Sequence, residues 1–533
     1  MSPASAEHKE RPSVAQPPAA EQPGLRAGAL GLASSVTIGV ASAAPAYSLA
    51  AVLGVLAASV GLHAPATLLL AFIPMWCTAS AYNAFDRALP NAGSVFAWLW
   101  RTVGPRSGWI GGWALIVANV VVMASLGEIA GRYTFLLAGA PGTAASVAAV
   151  GVVGTAWIAV VTLLCYVGIH VSARTQRGLL GLELAALTTF SVVALVKVLA
   201  GTAGTHAVTP QASWFSPFGA GHLADGVLAA LFIFWGWDTT ASVAEETRDP
   251  GPTAGRAARI STIILLAVFL LVATAAQAFD GSGALAAHPA DALSSLASDV
   301  LGGTLGKIVV LAVLSSSIAS AQTSIIPAAR TAMAMARRGA APPAVGRIDK
   351  RYQTPGVATL LVGAAGVAVF LILSAMSAAV LSDSISALGL IIAFYYGATA
   401  YACPVYFRSR LRRNVHDFVA LGLIPLIGAG GLTWVFVQTA INLAHPASSA
   451  SHTAPLGIGL PLVLAMGMLA LGLVLLGLTI ARSKAFRMAL TSRDDPATFY
   501  RPHPRLRSRA ADRNGGRDRS LRRLPRSRRP PHA

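Results

Sequence analysis

The chain has 533 residues, of which 55% are hydrophobic and only 11% are charged, and its mean hydropathy is +0.63. Soluble domains carry about 25% charged residues, so this composition excludes an ordinary soluble enzyme and indicates a protein whose solvent is the lipid bilayer. The net charge of +19 is concentrated near the C-terminus, where residues 482–533 hold 16 Lys or Arg and four Asp.

The chain begins with a polar stretch and continues with long apolar ones. Residues 1–27 lack a short apolar core with a cleavage site, so we predict a disordered cytoplasmic tail rather than a signal peptide. A helix that spans a bilayer needs roughly 20 mostly apolar residues. Twelve such stretches predict an all-α polytopic membrane protein with transmembrane helices near residues 29–58, 63–85, 107–137, 146–169, 178–200, 223–244, 257–279, 304–334, 356–379, 386–407, 415–440 and 457–481.

Basic residues lie in every second loop between these stretches. The loops that follow even-numbered spans carry Lys and Arg, whereas the loops that follow odd-numbered spans carry neither. Because Lys and Arg accumulate in cytoplasmic loops, we predict a multi-pass protein of the inner or plasma membrane with both termini in the cytoplasm.

The C-terminal residues 483–533 form a second predicted tail. They are rich in Arg and interrupted by Pro, which predicts a disordered cytoplasmic segment lying on anionic lipid headgroups. The stretch 505–529 has no aromatic residue for base stacking and no recognisable nucleic-acid-binding fold, so we expect no nucleic acid partner.

The first span contains helix breakers near its middle. The segment Gly39–Pro45 combines Gly, small residues and Pro, and Pro45 has no amide hydrogen and obstructs a regular helical turn. This predicts that the helix unwinds within the membrane, and a mere proline kink is the alternative.

The sixth span contains a second candidate break at Phe232–Asp238, where aromatic residues and an acid surround Gly236. Transporters built from inverted repeats bind substrate between discontinuous helices in corresponding positions of the two halves. A helix N-terminus suits a carboxylate and a helix C-terminus suits a cation, so paired breaks fit the backbone of an amino acid. Four aromatic residues of this break either stack on the substrate or only pack in the bilayer core: Phe232, Phe234, Trp235 and Trp237.

Asp238 is an acid within an apolar span. An acid at this depth costs about 2.5 kcal/mol or more on insertion scales, so a functional role is the default interpretation. The alternative is an acid near the cytoplasmic side that reaches nearby arginines.

The chain resembles the amino acid-polyamine-organocation transporter superfamily, from about Arg26 to about Arg482. Four stretches in the family's order carry the resemblance: the Gly39–Pro45 break; Ala88–Trp98 with Gly104 and Gly108–Trp113; Gly236–Glu246 with Asp249-Pro250; and Ala329-Arg330 with Ala332–Ala334, Arg337–Gly339 and Thr354-Pro355. The resemblance implies a transporter domain over residues 28–482 with a leucine-transporter-like fold. In that fold, helices 1–5 and 6–10 form a 5+5 inverted repeat, and helices 11 and 12 are peripheral.

The same resemblance implies roles for particular residues. Backbone around Gly39, Ala41, Ser42 and Ala43 would bind the substrate carboxylate, and carbonyls near Phe232, Phe234 and Trp235, with Gly236, Trp237 and Asp238 beside them, would receive the ammonium. Glu245 and Glu246 would belong to a cytoplasmic gate with loop arginines, or else to a solvated helix end. Ser315, Ser316 and Ser317 resemble the face that helps to hold an ion in sodium-coupled relatives, although serines also join membrane helices.

Glu183 is the candidate for ion or proton coupling. It lies eleven residues after Ser172, near where some relatives carry a Lys that stands in a sodium site. A carboxylate that changes its charge during the cycle can carry a proton or help to bind a cation. The alternative is a salt bridge to Arg174 or Arg177.

The remaining motifs bear on which source of energy could drive transport. Glu128 and Arg132 are four residues apart in the third span and predict a helical ion pair. No spacing of His and Cys indicates a metal, and no phosphate-binding loop precedes a helix, so we expect no cofactor and no enzymatic reaction. The sequence therefore predicts a permease that imports amino acids, or a related small amine, by symport with protons or sodium. The alternatives are an amino acid or polyamine exchanger, which Asp238 favours, and a non-transporting membrane sensor with the same fold.

Overall fold

The structure is a computed structural model that describes residues 24–218, 223–287 and 292–491. Within these residues every regular element is helical. The first half contains α1 (Leu32–Ser42), α2 (Pro45–Val60), α3 (Ala64–Ala88), α4 (Ser94–Thr102), α5 (Pro105–Leu137), α6 (Pro141–Ala144), α7 (Val147–Val167), α8 (Ile169–Leu199), α9 (Leu223–Ile233) and α10 (Thr239–Ser242). The second half contains α11 (Pro250–Ala287), α12 (Ala292–Leu301), α13 (Gly303–Arg337), α14 (Gly356–Met376), α15 (Ala378–Tyr406), α16 (Arg408–Leu411), α17 (Val415–Phe418), α18 (Ile424–Ala444), α19 (Leu460–Arg482) and α20 (Lys484–Thr491).

The predicted polytopic membrane fold is confirmed in its main character. Ten helical segments of the described chain are long and apolar enough to cross a membrane. One of them, residues 32–88, contains the first two predicted spans, and the sixth predicted span begins with the shorter apolar helix α9. The count of twelve transmembrane helices and the inverted repeat remain predictions.

The fifth helix begins earlier than its predicted span at residue 178. α8 begins at Ile169, and a single residue, Gly168, separates it from α7. Gly168 has φ +138, a backbone conformation open mainly to glycine, and this allows the abrupt change of direction. Residues 169–177 include His170, Arg174 and Arg177, so hydropathy starts the predicted span after them, yet they extend the helix at its N-terminal end.

α13 forms the centre of the molecule and positions the candidate site. It packs against α5, α8, α1 and α2, and 83% of its most apolar 18-residue stretch is buried. At the periphery, only 17% of the most apolar 18-residue stretch of α19 is buried, and Leu471, Leu473 and Val474 are exposed. Such apolar exposure is expected of a helix that faces lipid.

The start of the predicted C-terminal tail is helical, which corrects the prediction of disorder from residue 483. Phe486 of α20 is fully buried, and its ring packs edge-on against Trp100 at 5.5 Å between centroids. Leu25, within the predicted N-terminal tail, is also buried and packs in a cluster with Ala92 and Met333. The rest of the two predicted tails, residues 1–23 and 492–533, lies outside the described residues.

Candidate functional site

The first predicted break is present as a discontinuity, so the alternative of a proline kink is wrong. α1 ends at Ser42 and α2 begins at Pro45. Between them Ala44 adopts a left-handed conformation with φ +48. Pro45 occupies the first position of α2, where its missing amide hydrogen costs no helical hydrogen bond.

The second predicted break lies directly against the first. α9 ends at Ile233, and the four-residue helix α10 begins at Thr239. Gly236 between them has φ +116, and a Cβ atom added there would lie 2.6 Å from the carbonyl oxygen of Ser42. The two breaks can therefore approach this closely only with glycine at this position.

Hydroxyl groups join the two breaks to α13. The Oγ of Ser42 and the Oγ1 of Thr239 are 2.8 Å apart, and Ser320 of α13 donates a hydrogen bond of 3.1 Å to the carbonyl of Ser42. Ala41 and Ala43 are buried in the same region. Gly39 instead lies at a helix contact, since a Cβ there would be 2.8 Å from a methyl group of Thr240 and would also collide with Ser261.

Asp238 is buried and bound by two tyrosines of α15 rather than by arginines. Tyr396 donates a hydrogen bond of 2.8 Å to Oδ1, and Tyr395 donates one of 3.2 Å to Oδ2. The indole of Trp235 donates in turn to the hydroxyl of Tyr395. The sequence reasoning missed both tyrosines, although two adjacent hydroxyl groups within an apolar span were a visible signal.

The aromatic residues of the second break differ in their surroundings. Phe234 is fully buried and packs edge-on against Phe269 of α11, with 5.1 Å between centroids, as the packing alternative expects. Trp237 is also fully buried, against Tyr82 at 5.0 Å and Tyr396 at 5.1 Å. Phe232 is only partly buried and lines a cavity of about 360 Å³ between α2, α9, α15 and α18.

Glu183 reaches the first break. Its Oε1 accepts a hydrogen bond of 2.7 Å from the amide of Ala46, in the first turn of α2. The side chain is fully buried, and its Oε2 has no hydrogen-bond partner among the described residues. The alternative salt bridge to Arg174 or Arg177 is not formed in the described part of the chain. The carboxylate instead lies at the N-terminal end of α2, where the helix dipole favours negative charge.

Only one serine of the predicted triplet faces the break. Ser316 accepts a hydrogen bond of 3.3 Å from the amide of Tyr47, next to the amide that Glu183 binds. Ser315 and Ser317 donate to carbonyl groups of their own helix, those of Ala312 and Leu314. Adjacent helical residues point about 100° apart, so three consecutive serines cannot share one face.

The predicted gate glutamates, Glu245 and Glu246, form hydrogen bonds with other protein groups and do not lie at a solvated helix end. Glu246 is fully buried and pairs with Arg330 of α13, with Nε 2.7 Å from Oε2. Glu245 accepts a hydrogen bond of 2.9 Å from the amide of Ala92. Burial raises the pKa of both carboxyl groups, while Arg330 acts in the opposite direction on each. The backbone of the same segment pairs with the residues before α1, since the amide of Leu30 donates to the carbonyl of Glu246.

The predicted pair of Glu128 and Arg132 forms no ion pair or hydrogen bond within the described residues. Both side chains line one cavity of about 370 Å³ beside α7 and the end of α14. One turn earlier on α5, the hydroxyl of Ser125 lies 2.5 Å from that of Tyr47, near the first break, but neither Glu128 nor Arg132 forms a hydrogen bond with Glu183.

Comparison with known proteins gives matches along most of the chain. The profile of a family described as amino acid permease matches residues 28–477. An uncharacterized transporter of Mycobacterium tuberculosis is 29% identical over 436 residues, which cover 81% of this chain and 89% of that transporter. The branched-chain amino acid permease of Bacillus subtilis is 25% identical over 307 residues, covering 54% of this chain and 62% of that permease. The vacuolar cationic amino acid transporter 2 of Arabidopsis thaliana is 26% identical over 310 residues, covering 55% and 47%.

Proposed function

We propose, from the premise that the chain belongs to the amino acid permease family, that it imports amino acids across the cell membrane by proton symport through alternating access. Membership confirms the predicted superfamily and makes the chain a multi-pass membrane transporter for amino acids. To that assignment we add three proposals: transport is coupled to protons, its direction is import, and the protein lies in the cell membrane.

The observation that carries the proton proposal is the 2.7 Å hydrogen bond from the amide of Ala46 to Glu183. A group that couples proton movement to transport must change its charge during the cycle and must contact a segment that moves. Glu183 is fully buried, so its ionised form is costly, and it binds the helix that begins at the first break.

This contact suggests how proton and substrate binding are linked. The substrate carboxylate is expected on the backbone of the first break, around Ala41, Ser42 and Ala43. Directly after the break, Glu183 and Ser316 occupy the amides of Ala46 and Tyr47 at the start of α2. Protonation removes the negative charge of Glu183, which weakens its hold on the amide of Ala46 and leaves the positive helix end to the substrate carboxylate. Proton and amino acid would then each favour binding of the other.

Substrate binding also requires the two breaks to separate. Ser42 and Thr239 are in hydrogen-bond contact, and Gly236 lies against the backbone of Ser42. An amino acid held by both breaks must replace these contacts with its own. Loss of the contact between Ser42 and Thr239 is therefore part of the transport cycle that we propose.

Exchange of cationic amino acids or polyamines is the second candidate function. Asp238 is buried beside the second break, and its partners among the described residues are tyrosine hydroxyls and backbone rather than a cation. It can therefore receive the second positive charge of such a substrate. One relative is named as a cationic amino acid transporter and another as a branched-chain amino acid permease. The uptake experiment therefore includes both cationic and branched-chain amino acids.

The experiment is uptake of a panel of radiolabelled amino acids into proteoliposomes. Three conditions are compared: an inward proton gradient, an inward sodium gradient, and vesicles preloaded with unlabelled amino acid. We expect proton-driven accumulation in the wild type and its loss in Glu183→Gln, while exchange into preloaded vesicles continues. Glu128→Gln is the matched control, because it removes another acid of a membrane helix, one whose side chain forms no hydrogen bond with the described residues of the breaks.

Three outcomes would contradict the proposal. Accumulation that requires the sodium gradient would show that sodium, and not the proton, is the coupling ion. Uptake only into preloaded vesicles would establish the exchanger. Wild-type accumulation in Glu183→Gln would remove Glu183 from the coupling mechanism.

A further inference from the structure

We propose that the headgroup of an anionic phospholipid binds in a cavity of about 380 Å³ at the end of α3 that the loop charges assign to the cytoplasmic side. The cavity lies between α3, α11 and the segment that joins α15 to α18. It is separate from the two breaks, and the proposal does not depend on the substrate or on the coupling ion.

Two arginines from different helices face this cavity without a protein counter-ion. Arg87 of α3 and Arg259 of α11 both line it, and neither side chain forms an ion pair or hydrogen bond with a described residue. A third, Arg410, is already balanced by Asp417 at 3.4 Å and rests over the ring of Phe407. The lining therefore keeps an excess positive charge that a phosphate group would neutralise.

The polar residue next to Arg87 adds no contact for the ligand. Asn83 lines the cavity, but its buried Oδ1 lies against Gly255 of α11, where an added Cβ would be 2.5 Å away. The two arginines therefore carry the recognition of the phosphate.

The shape of the cavity favours a lipid over a free phosphate. Its lining on α3 extends from Arg87 to Trp76, which is about 16 Å along a helix. The wall opposite contains Leu421 and Ile424. A soluble phosphate would fill only the charged end, whereas a phospholipid places its headgroup there and its acyl chain along the apolar wall.

The bound lipid would hold together elements that reach the candidate site. α3 packs tightly on α11, since a Cβ at Gly255 would lie 2.5 Å from the Cα of Asn83. One residue before Asn83, on another face of α3, Tyr82 packs edge-on against Trp237 of the second break. A ligand that bridges Arg87 and Arg259 therefore stabilises the contact between two helices that flank the transport pathway.

The test compares two double variants of the full chain with the same loss of charge. Arg87→Gln with Arg259→Gln removes the two cavity arginines, and Arg256→Gln with Arg412→Gln removes two exposed arginines outside the cavity lining. Thermal midpoints of the purified proteins in detergent are measured during titration with phosphatidylglycerol, phosphatidylcholine or inorganic phosphate. The basic C-terminal residues are present in every variant, so their attraction for anionic lipid cancels in the comparison.

We expect phosphatidylglycerol to raise the midpoint of the wild type and of the control, and to bind the cavity variant roughly thirtyfold more weakly. Arg87→Lys with Arg259→Lys retains the charge and should retain most of the response, which separates charge from misfolding. An unchanged response of the cavity variant would overturn the site. An equal response to inorganic phosphate would make the ligand a soluble phosphate, and an equal response to phosphatidylcholine would remove the preference for negative charge.

Discussion

The hydroxyl of Tyr396 donates a hydrogen bond of 2.8 Å to Oδ1 of Asp238, across the contact between α15 and the second break. Tyr395 donates to the other carboxylate oxygen. Both donors are neutral, so they satisfy the lone pairs of Asp238 without cancelling its charge. This arrangement keeps a negative charge beside the proposed substrate site.

Asp238→Asn should therefore change the choice of substrate. The amide keeps the size of the side chain but removes the charge, so binding of a cationic amino acid should weaken about tenfold or more, with little change for a neutral one. The measurement is competition by unlabelled lysine and leucine against labelled uptake. Tyr396→Phe is the control, since it keeps the charge and should affect both substrates alike. Equal losses for lysine and leucine in Asp238→Asn would show that this acid is structural.

Gly236→Ala should abolish uptake, because the added Cβ would meet the carbonyl of Ser42 and the backbone has φ +116. Such strain costs on the order of 1–3 kcal/mol or displaces one break from the other. Gly181→Ala on α8 is the matched control, since a Cβ there meets nothing within 4 Å. Uptake rates and thermal midpoints of both variants test the prediction. A Gly236→Ala protein with wild-type uptake would show that the two breaks need not touch.

The ion pair of Glu246 and Arg330 should be essential as a pair. Removing one partner of a buried pair leaves an uncompensated charge and typically costs about 3–5 kcal/mol, so Arg330→Gln should lower the thermal midpoint strongly. Glu246→Gln together with Arg330→Gln should recover most of the loss, because no charge is left buried. A double-mutant cycle on thermal midpoints checks this, and additive losses in the double variant would mean that the two residues are not coupled.

The two discontinuities could be predicted because helix-breaking and acidic residues are rarely compatible with a continuous helix in an apolar span. Gly and Pro in Gly39–Pro45, and an acid beside Gly236, each conflict with a continuous membrane helix. The partners of these residues could not be predicted. Tyr396 and Ser320 reach the site only because of how α15 and α13 are rotated, and an apolar span facing protein on several sides has no periodicity that reveals its rotation.

Two further differences arise from tertiary contacts. The first turns of α8 are polar, so hydropathy starts the predicted span at residue 178, after the helix itself has begun at Ile169. α20 is short and basic, and such a segment has little helical stability alone. Its fully buried apolar side chain, Phe486, packs against Trp100, which is far away in the sequence. The prediction of disorder there was wrong because the contact that orders the helix is not local.

Removal of residues 492–533 should leave transport intact. The described residues end with α20 at Thr491, and every contact given above for the two breaks lies among them. We expect uptake equal to that of the full chain, whereas a sensor that signals through its tail would lose its function. Uptake into proteoliposomes measures the first outcome, and a loss of uptake after this truncation would contradict the prediction.

A truncation that also removes α20 should behave differently. Ending the chain at Ser483 exposes the cluster that Phe486 fills beside Trp100, and loss of a buried Phe side chain costs about 3–5 kcal/mol. We therefore expect a lower thermal midpoint, and Phe486→Ala in the full chain should reproduce most of that decrease. Phe486→Ala with an unchanged midpoint would mean that α20 does not stabilise the surface on which it packs, and the boundary of the folded domain would then move back to the end of α19.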